Sequence, residues 1–136
     1  MIDIFEQEVI QVLKDQDIHT KKYFGEFSNP QNIQVNLNDL PLIYLDYTGS
    51  EPEGRIKEEH TFYLYIAHIS YSKNEVTRSN KHYELYELFD KIKKTINLKS
   101  FENSDPIRWG KKTKIYDAVT DKGYLTVFTQ SFTTIL

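Results

Sequence analysis

Five small groups of residues in this chain have types that could support chemistry. Gly110, Lys111, Lys112 and Thr113 carry the Gly-Lys core of a phosphate-binding loop. Such a loop also needs a glycine five residues upstream, so that successive backbone N–H groups can wrap the phosphates, and none stands there. No Gly-x-Gly-x-x-Gly dinucleotide signature occurs. The histidines, His19, His60, His68 and His82, are scattered, with no two at the spacing of three or four that puts metal ligands on one helix face. A histidine alone beside a core strand is ordinarily a hydrogen-bonded structural residue. Glu58, Glu59 and His60 set carboxylates beside an imidazole, but three successive strand residues cannot all aim at one point. They read as a solvated face. Asp46 with Glu53 and Arg55 comes nearest to a nuclease set of an Asp followed by Glu-x-Lys, but it lacks the lysine and falls on a turn-rich stretch. There is no Gly-x-Ser-x-Gly nucleophile elbow, and no cysteine for a thiolate nucleophile, a zinc site or a disulfide. The expectation is a protein that is not an enzyme and carries no metal or cofactor.

The fifth group is a basic strip, Arg108–Lys114, interrupted by the only tryptophan, Trp109. Stacking plus phosphate contacts would suit it to single-stranded nucleic acid. The rest of the chain argues the other way. Net charge is −3, with a pI near 5.8, whereas general nucleic-acid binders carry a basic excess. No specific nucleic-acid binding is expected. No apolar run approaches the ~20 residues of a membrane helix, and the acidic, amphipathic start of the chain lacks the basic and apolar regions of a signal peptide. The sequence is therefore expected to be soluble, off the membrane and inside the cell. Ten Tyr and eight Phe are many for this length. They fit either a subunit interface or the filling of strands, both of which favour aromatics.

The elements that must carry these residues follow from periodicity. Ile2, Phe5, Val9, Val12 and Leu13 make the apolar stripe of a helix over 2–16, with Glu6 facing away. A strand is expected over 18–24, then a turn cluster over 28–32. The stretch 40–47 is a second strand with Pro41 at its start, where its missing N–H is tolerated. Gly49, Pro52 and Gly54 break that pattern. The strand 60–71 follows at once, so a hairpin with a long, charged, mobile tip over 49–58 is expected. In 60–71, Phe62, Leu64 and Ile66 alternate with Tyr63, Tyr65, Ala67 and Ile69. Both faces are apolar or aromatic, which predicts a central strand with layers above and below it. A polar link over 72–78 leads to Ser79 as N-cap of a helix over 79–97, with Leu85, Tyr86, Leu88, Phe89, Ile92 and Ile96 on its apolar face. Residues 100–111 read as a loop around Trp109, 112–119 as a strand, 121–123 as a turn and 124–135 as the last strand. The order is α-β-β-β-α-β-β. This is one α/β (α+β) domain over 1–136, with two helices on a mainly antiparallel sheet.

In order and spacing the chain resembles the small tail proteins of Mu-like phages and prophages and, more loosely, the tail-terminator (tail-completion) proteins of long-tailed phages. The likeness rests on the N-terminal helix from Ile2 to Leu13 and on the Leu40-Pro41 step into an apolar strand and small turn ending at Gly49. It rests also on the central strand leading through a polar link into the second helix, and on the long last strand with Phe132 and Thr134 near its end. The resemblance implies a structural role in the virion tail, assembled in the host cytoplasm. Copies of the chain would form a ring, typically a hexamer, that caps the tail tube and ends its polymerisation. The ring would also present a joining surface to the head-tail connector. A ring needs an exposed edge or loop on each subunit, and the hairpin residues Glu51, Glu53, Arg55, Lys57 and Glu58 are the expected interface. The acidic balance suits a lumen that lets DNA pass without holding it. The competing reading is a small phage-encoded DNA-binding or DNA-processing protein that uses the Arg108–Lys114 patch.

Overall fold

The computed structural model describes residues 1–29, 41–71, 74–102, 104–120 and 123–136. Along them run α1 (Ile2–Asp15), β1 (Thr20–Lys22), β2 (Leu42–Glu53), β3 (Lys57–Ser70), α2 (Glu75–Ile96), β4 (Arg108–Thr120) and β5 (Gly123–Ile135). The sheet has the order β1-β2-β3-β5-β4. Among the described residues only the short β1–β2 pair is parallel; the other three pairs are antiparallel. This is the expected α+β architecture in the expected order, with β3 in the middle.

The two helices share one face of the sheet. Phe5, Val9 and Leu13 of α1 and Leu85, Phe89, Ile92 and Ile96 of α2 close over Ile43, Leu45, Phe62, Leu64, Ile66 and Phe132. A fully buried aliphatic or aromatic side chain is worth ~1.5–3 kcal/mol relative to exposure, so this face holds most of the stability. The expectation of a layer on each side of β3 is corrected here. Among the described residues the opposite face carries a smaller cluster, at one end, where Phe27 packs with Leu42, Tyr44, Ala67, Ile69, Leu125 and Val127. Tyr23 stacks on Tyr65 there at 4.0 Å, and burial pushes the Tyr65 hydroxyl up to about 12. Towards the other end this face stays half-open around Asp46, Tyr63, Ser131 and Thr133. Antiparallel sheets tolerate one wet face because their hairpin connections leave it uncovered.

Several boundaries move. α2 starts at Glu75, not Ser79, because the Asn74 side chain accepts from the Val76 and Thr77 N–H groups at 2.9 and 3.2 Å. Its first turn is polar and exposed, so periodicity is silent there. The buried stripe is Leu85, Phe89, Ile92 and Ile96, while Tyr86 turns to solvent. In α1 Glu6 is buried rather than outward, paired with Lys22 at 3.5 Å. The last third of the expected loop 100–111 is strand, since β4 begins at Arg108. Two bulges, at Gly110–Lys111 and at Ile115, interrupt its alternation, and an interrupted alternation reads as a loop. Leu40, part of the 28–32 cluster, part of the polar link, Asn103 and most of the 121–123 turn lie outside the described residues.

Ile66 lies at the middle of the dry face and is 1% exposed. An Ile66→Asp protein should fail to fold, since an unpaired buried charge costs several kcal/mol. A soluble Ile66→Asp protein with a cooperative melt would show that the core lies elsewhere.

Candidate functional site

Three places gather the chemically capable residues. The first is the β2–β3 hairpin. β5 follows β3 only to Glu59, and β1 reaches β2 only to Leu45, so among the described residues the hairpin beyond the Glu51–Glu59 pair is a two-stranded arm. The expected mobile tip is instead a ladder: Glu51 opposes Glu59, Pro52 opposes Glu58, and Glu53 opposes Lys57. Backbone pairing overrides the turn-forming glycine and proline, because a bulge after Tyr47 absorbs Gly49 at φ 142. The turn proper is 54–56, with Arg55 in it and Ile56 95% exposed at the end. All five expected interface residues lie on this arm and face solvent. Glu51 and Glu59 set like charges side by side, an unfavourable cross-strand pair. The base of the arm is braced on the helix side. The Tyr47 hydroxyl meets His60 Nδ1 at 2.9 Å, His60 Nε2 lies 3.7 Å from Glu58, and the Ser50 hydroxyl donates to Glu58 at 3.1 Å. Glu59 points the other way, as alternation requires. Asp46 and Glu53 are not brought together: seven residues of one strand separate them by about 23 Å.

The second place is β4, the outer strand on the far side of the sheet. Its alternation divides the basic strip. The Trp109 ring lies parallel to Phe132 at 6.3 Å, half-buried against the core. The Lys112 ammonium sits 4.0 Å over the Phe89 ring, and Lys114 pairs with Asp117 at 3.3 Å. The strip is thus a cationic sheet edge with its aromatic turned inward, rather than an open stacking platform.

The third place has no forerunner among the sequence motifs. The end of β3, the start of α2 and the inner ends of β4 and β5 border an open pocket of about 350 Å³ lined by His68, Ser70, Glu75, Arg78, Ser79, His82, Asp117, Tyr124 and Thr126. One wall is organised. The Thr126 hydroxyl donates to Asp117 at 2.9 Å and lies 3.3 Å from His82 Nε2. With its own proton committed to Asp117, that hydroxyl accepts from a protonated Nε2. Burial raises the Asp117 carboxyl, but Thr126 and Lys114 outweigh it and hold the group below the usual carboxylate range. The other wall is unpartnered. No described residue hydrogen-bonds either ring nitrogen of His68 or Nε of Arg78, although the Arg78 guanidinium stacks on Tyr124 at 4.3 Å. Burial, with His82 and Lys81 adding to it, lowers the His68 imidazole to about 4. These residues come from four elements at separations that no local pattern reveals. The one signal in the sequence is a histidine in the apolar run of β3. Among the described residues no group of three or more His, Asp or Glu is placed to hold a metal ion, and no helix is long and apolar enough to cross a membrane.

The depressed His68 has a consequence for stability. An unfolded chain binds a proton at this histidine below pH ~6.5, while the folded one stays neutral down to about 4. Its contribution is therefore full above pH ~6.5 and shrinks as pH falls towards 4, by about 2–3 kcal/mol. Urea unfolding across pH 7.5 to 4 should show this decline, and His68→Phe should flatten it. Equal slopes in both proteins would contradict the assignment.

No family model matches the chain, and no curated protein matches it.

Proposed function

We propose that the chain is a structural tail protein of the terminator type, which caps a phage or prophage tail tube as a ring of its own copies. Such a cap ends tube growth and offers the head-tail connector a surface to join. The observation that carries this reading is the braced two-stranded arm. It projects Glu51, Glu53, Arg55, Lys57 and Glu58 beyond the sheet and ends in the 95% exposed Ile56. A charged arm with an apolar end has little to do for the monomer's own stability. It suits a contact with a repeated neighbour or with the tube, where charges set register more than affinity.

The two sides of the sheet add to this. The β2 side offers acidic Glu51 and Glu53, while the opposite edge, β4, offers Arg108, Lys111 and Lys112 along an exposed strand. Complementary patches on opposite sides of one subunit favour head-to-tail association, which closes into a ring when the rotation permits. A cation from a neighbour would also relieve the Glu51–Glu59 repulsion. The competing DNA-handling reading keeps the cations of β4 but loses its stacking residue, because Trp109 packs on Phe132. In this proposal the protein's place is the virion tail, with assembly in the host cytoplasm, and its partners are itself, the tube protein and the connector.

Replacing Glu53–Lys57 by an Asn-Gly turn leaves Pro52 and Glu58 as the closing pair and keeps the brace at Ser50, Glu58 and His60. The shortened monomer should unfold within roughly 0.5 kcal/mol of the parent, because only exposed residues are lost. Ring formation, read by mass photometry, should be impaired, and tails made with it should be overlong or headless. Normal rings and normal tails from the shortened protein would remove the arm from the interface. Salt-sensitive DNA binding by a chain that never assembles would favour the competing reading.

A further inference from the structure

α2 changes character along its length, in a way that does not depend on whether rings form. From Leu85 onward its inward stripe is Leu85, Phe89, Ile92 and Ile96, all buried in the main core. Followed towards the N-terminus at spacings of three and four, the same stripe becomes His82 and Arg78. Residues 75–84 therefore include no buried side chain: Arg78 and His82 are half-buried and the rest are exposed. Six of those ten, Val76, Thr77, Ser79, Asn80, His82 and Tyr83, are weak helix formers. A helical stretch this short and of this composition does not sustain itself in water, and it lacks the apolar burial that secures 85–96.

The ties between 75–84 and the sheet come from the two half-buried residues. The Arg78 guanidinium stacks on Tyr124 at 4.3 Å, His82 Nε2 lies 3.3 Å from the Thr126 hydroxyl, and the His82 ring lies 5.2 Å from that of His68. Thr126 is itself anchored on Asp117, so the sheet side is fixed and the helix side is the part free to leave.

His68 sets the condition for leaving. It is 7% exposed, with neither nitrogen hydrogen-bonded among the described residues. It borders the pocket at the head of α2 and a second one shared with Lys81, Glu84, Leu85 and Leu88, so the first half of α2 is its cover. The charged groups facing it are His82, Lys81 and Glu84 of α2 and Asp117 of β4, with Arg78 and Glu75 on the first pocket. β5 sets the uncharged Thr126 opposite it, and Pro41 brings no charge. Both facing acids are already paired, Glu84 with Lys81 and Asp117 with Lys114. Burial, then His82 and Lys81, keep the covered imidazole neutral down to about 4. Once 75–84 moves away, water reaches the ring and it binds a proton below its ordinary ~6.5.

We propose that residues 75–84 form an acid-released latch, which detaches from the sheet as a unit when His68 takes up a proton and leaves 85–96 seated on the core. Opening uncovers Tyr124, Thr126 and His68. Because the uncovered ring binds the proton and the covered one does not, opening is constant above pH ~6.5 and grows as pH falls towards about 4. Between pH 7.5 and 4.5 the ratio of open to closed should rise roughly fifty- to a hundredfold, the effect of one proton bound with those two affinities.

The test is amide hydrogen exchange of the full chain, read by NMR between pH 7.5 and 4.5 and corrected for the intrinsic pH dependence of exchange. The N–H groups of 79–88 bond to the carbonyls of 75–84, so they report the latch, and 89–96 report the seated half. At every pH 79–88 should exchange faster than 89–96 and should respond less to low urea, since a local opening exposes little surface. Their protection should fall by the stated factor over the same pH range in which the His68 ring-carbon signals titrate. Equal protection and equal urea response in the two halves would show that α2 opens only by global unfolding and would overturn the proposal. So would protection of 79–88 that stays flat with pH, or that falls where His68 does not titrate. These readouts use the parent chain alone. In His68→Phe the pH dependence of 79–88 should disappear, and an unchanged dependence in that variant would assign the trigger to another group and equally overturn it.

Discussion

One row of side chains on one strand governs this molecule. Phe62, Leu64 and Ile66 stand on the same face of β3 and are almost wholly buried. They are matched across the sheet by Tyr47, Leu45 and Ile43 on one side and by Phe132, Gln130 and Phe128 on the other. Both helices must cover that row, because uncovering it would expose the largest continuous apolar surface the chain has. With both helices spent on one face, none remains among the described residues for the other. Among the described residues the second face is served by Phe27 and a stack of tyrosines at one end, and is half-wet elsewhere. The edges, the arm and the pocket lie at the margins of this arrangement, where helical cover ends.

Those margins are marked by the same residue type. His60 and His68 bracket the apolar row on the same face of β3, and both are buried. At the arm end the polar environment is complete: His60 has the Tyr47 hydroxyl at one nitrogen and Glu58 near the other. At the α2 end His68 has neither, only the ring of His82 at 5.2 Å and the lining of a pocket. A buried imidazole without partners is unfavourable. The first histidine closes a structural network, and the second is buried without a hydrogen-bond partner among the described residues.

Charge follows the same geometry. Acids collect on the arm beyond β2 and cations along β4, so the sheet separates them across its width. An exposed edge strand invites pairing with another chain. Lysines and bulges are the usual means of preventing indiscriminate pairing while leaving room for a chosen partner. β4 has both, with bulges at Gly110–Lys111 and at Ile115. Gly110 is suited to the first bulge, since any Cβ there would collide with Ser131.

The sequence by itself determined the element order, the single α+β domain, the central strand and the hairpin that bears Glu51, Glu53, Arg55, Lys57 and Glu58. These are legible because side-chain period is a local property, and a strand such as 60–71 declares itself over a dozen residues. Local pattern fails where the backbone breaks period or where a polar turn is helical. That is why β4 reads short at its bulges and α2 reads as starting at Ser79 rather than after Asn74. Only the tertiary structure decided that both helices take one face, that the tip is a paired arm, and that Trp109 turns inward. It alone brought His68, Arg78, His82 and Asp117 to one pocket. Those four residues lie on three elements whose nearness depends on strand order and helix placement, and no spacing along a chain encodes that.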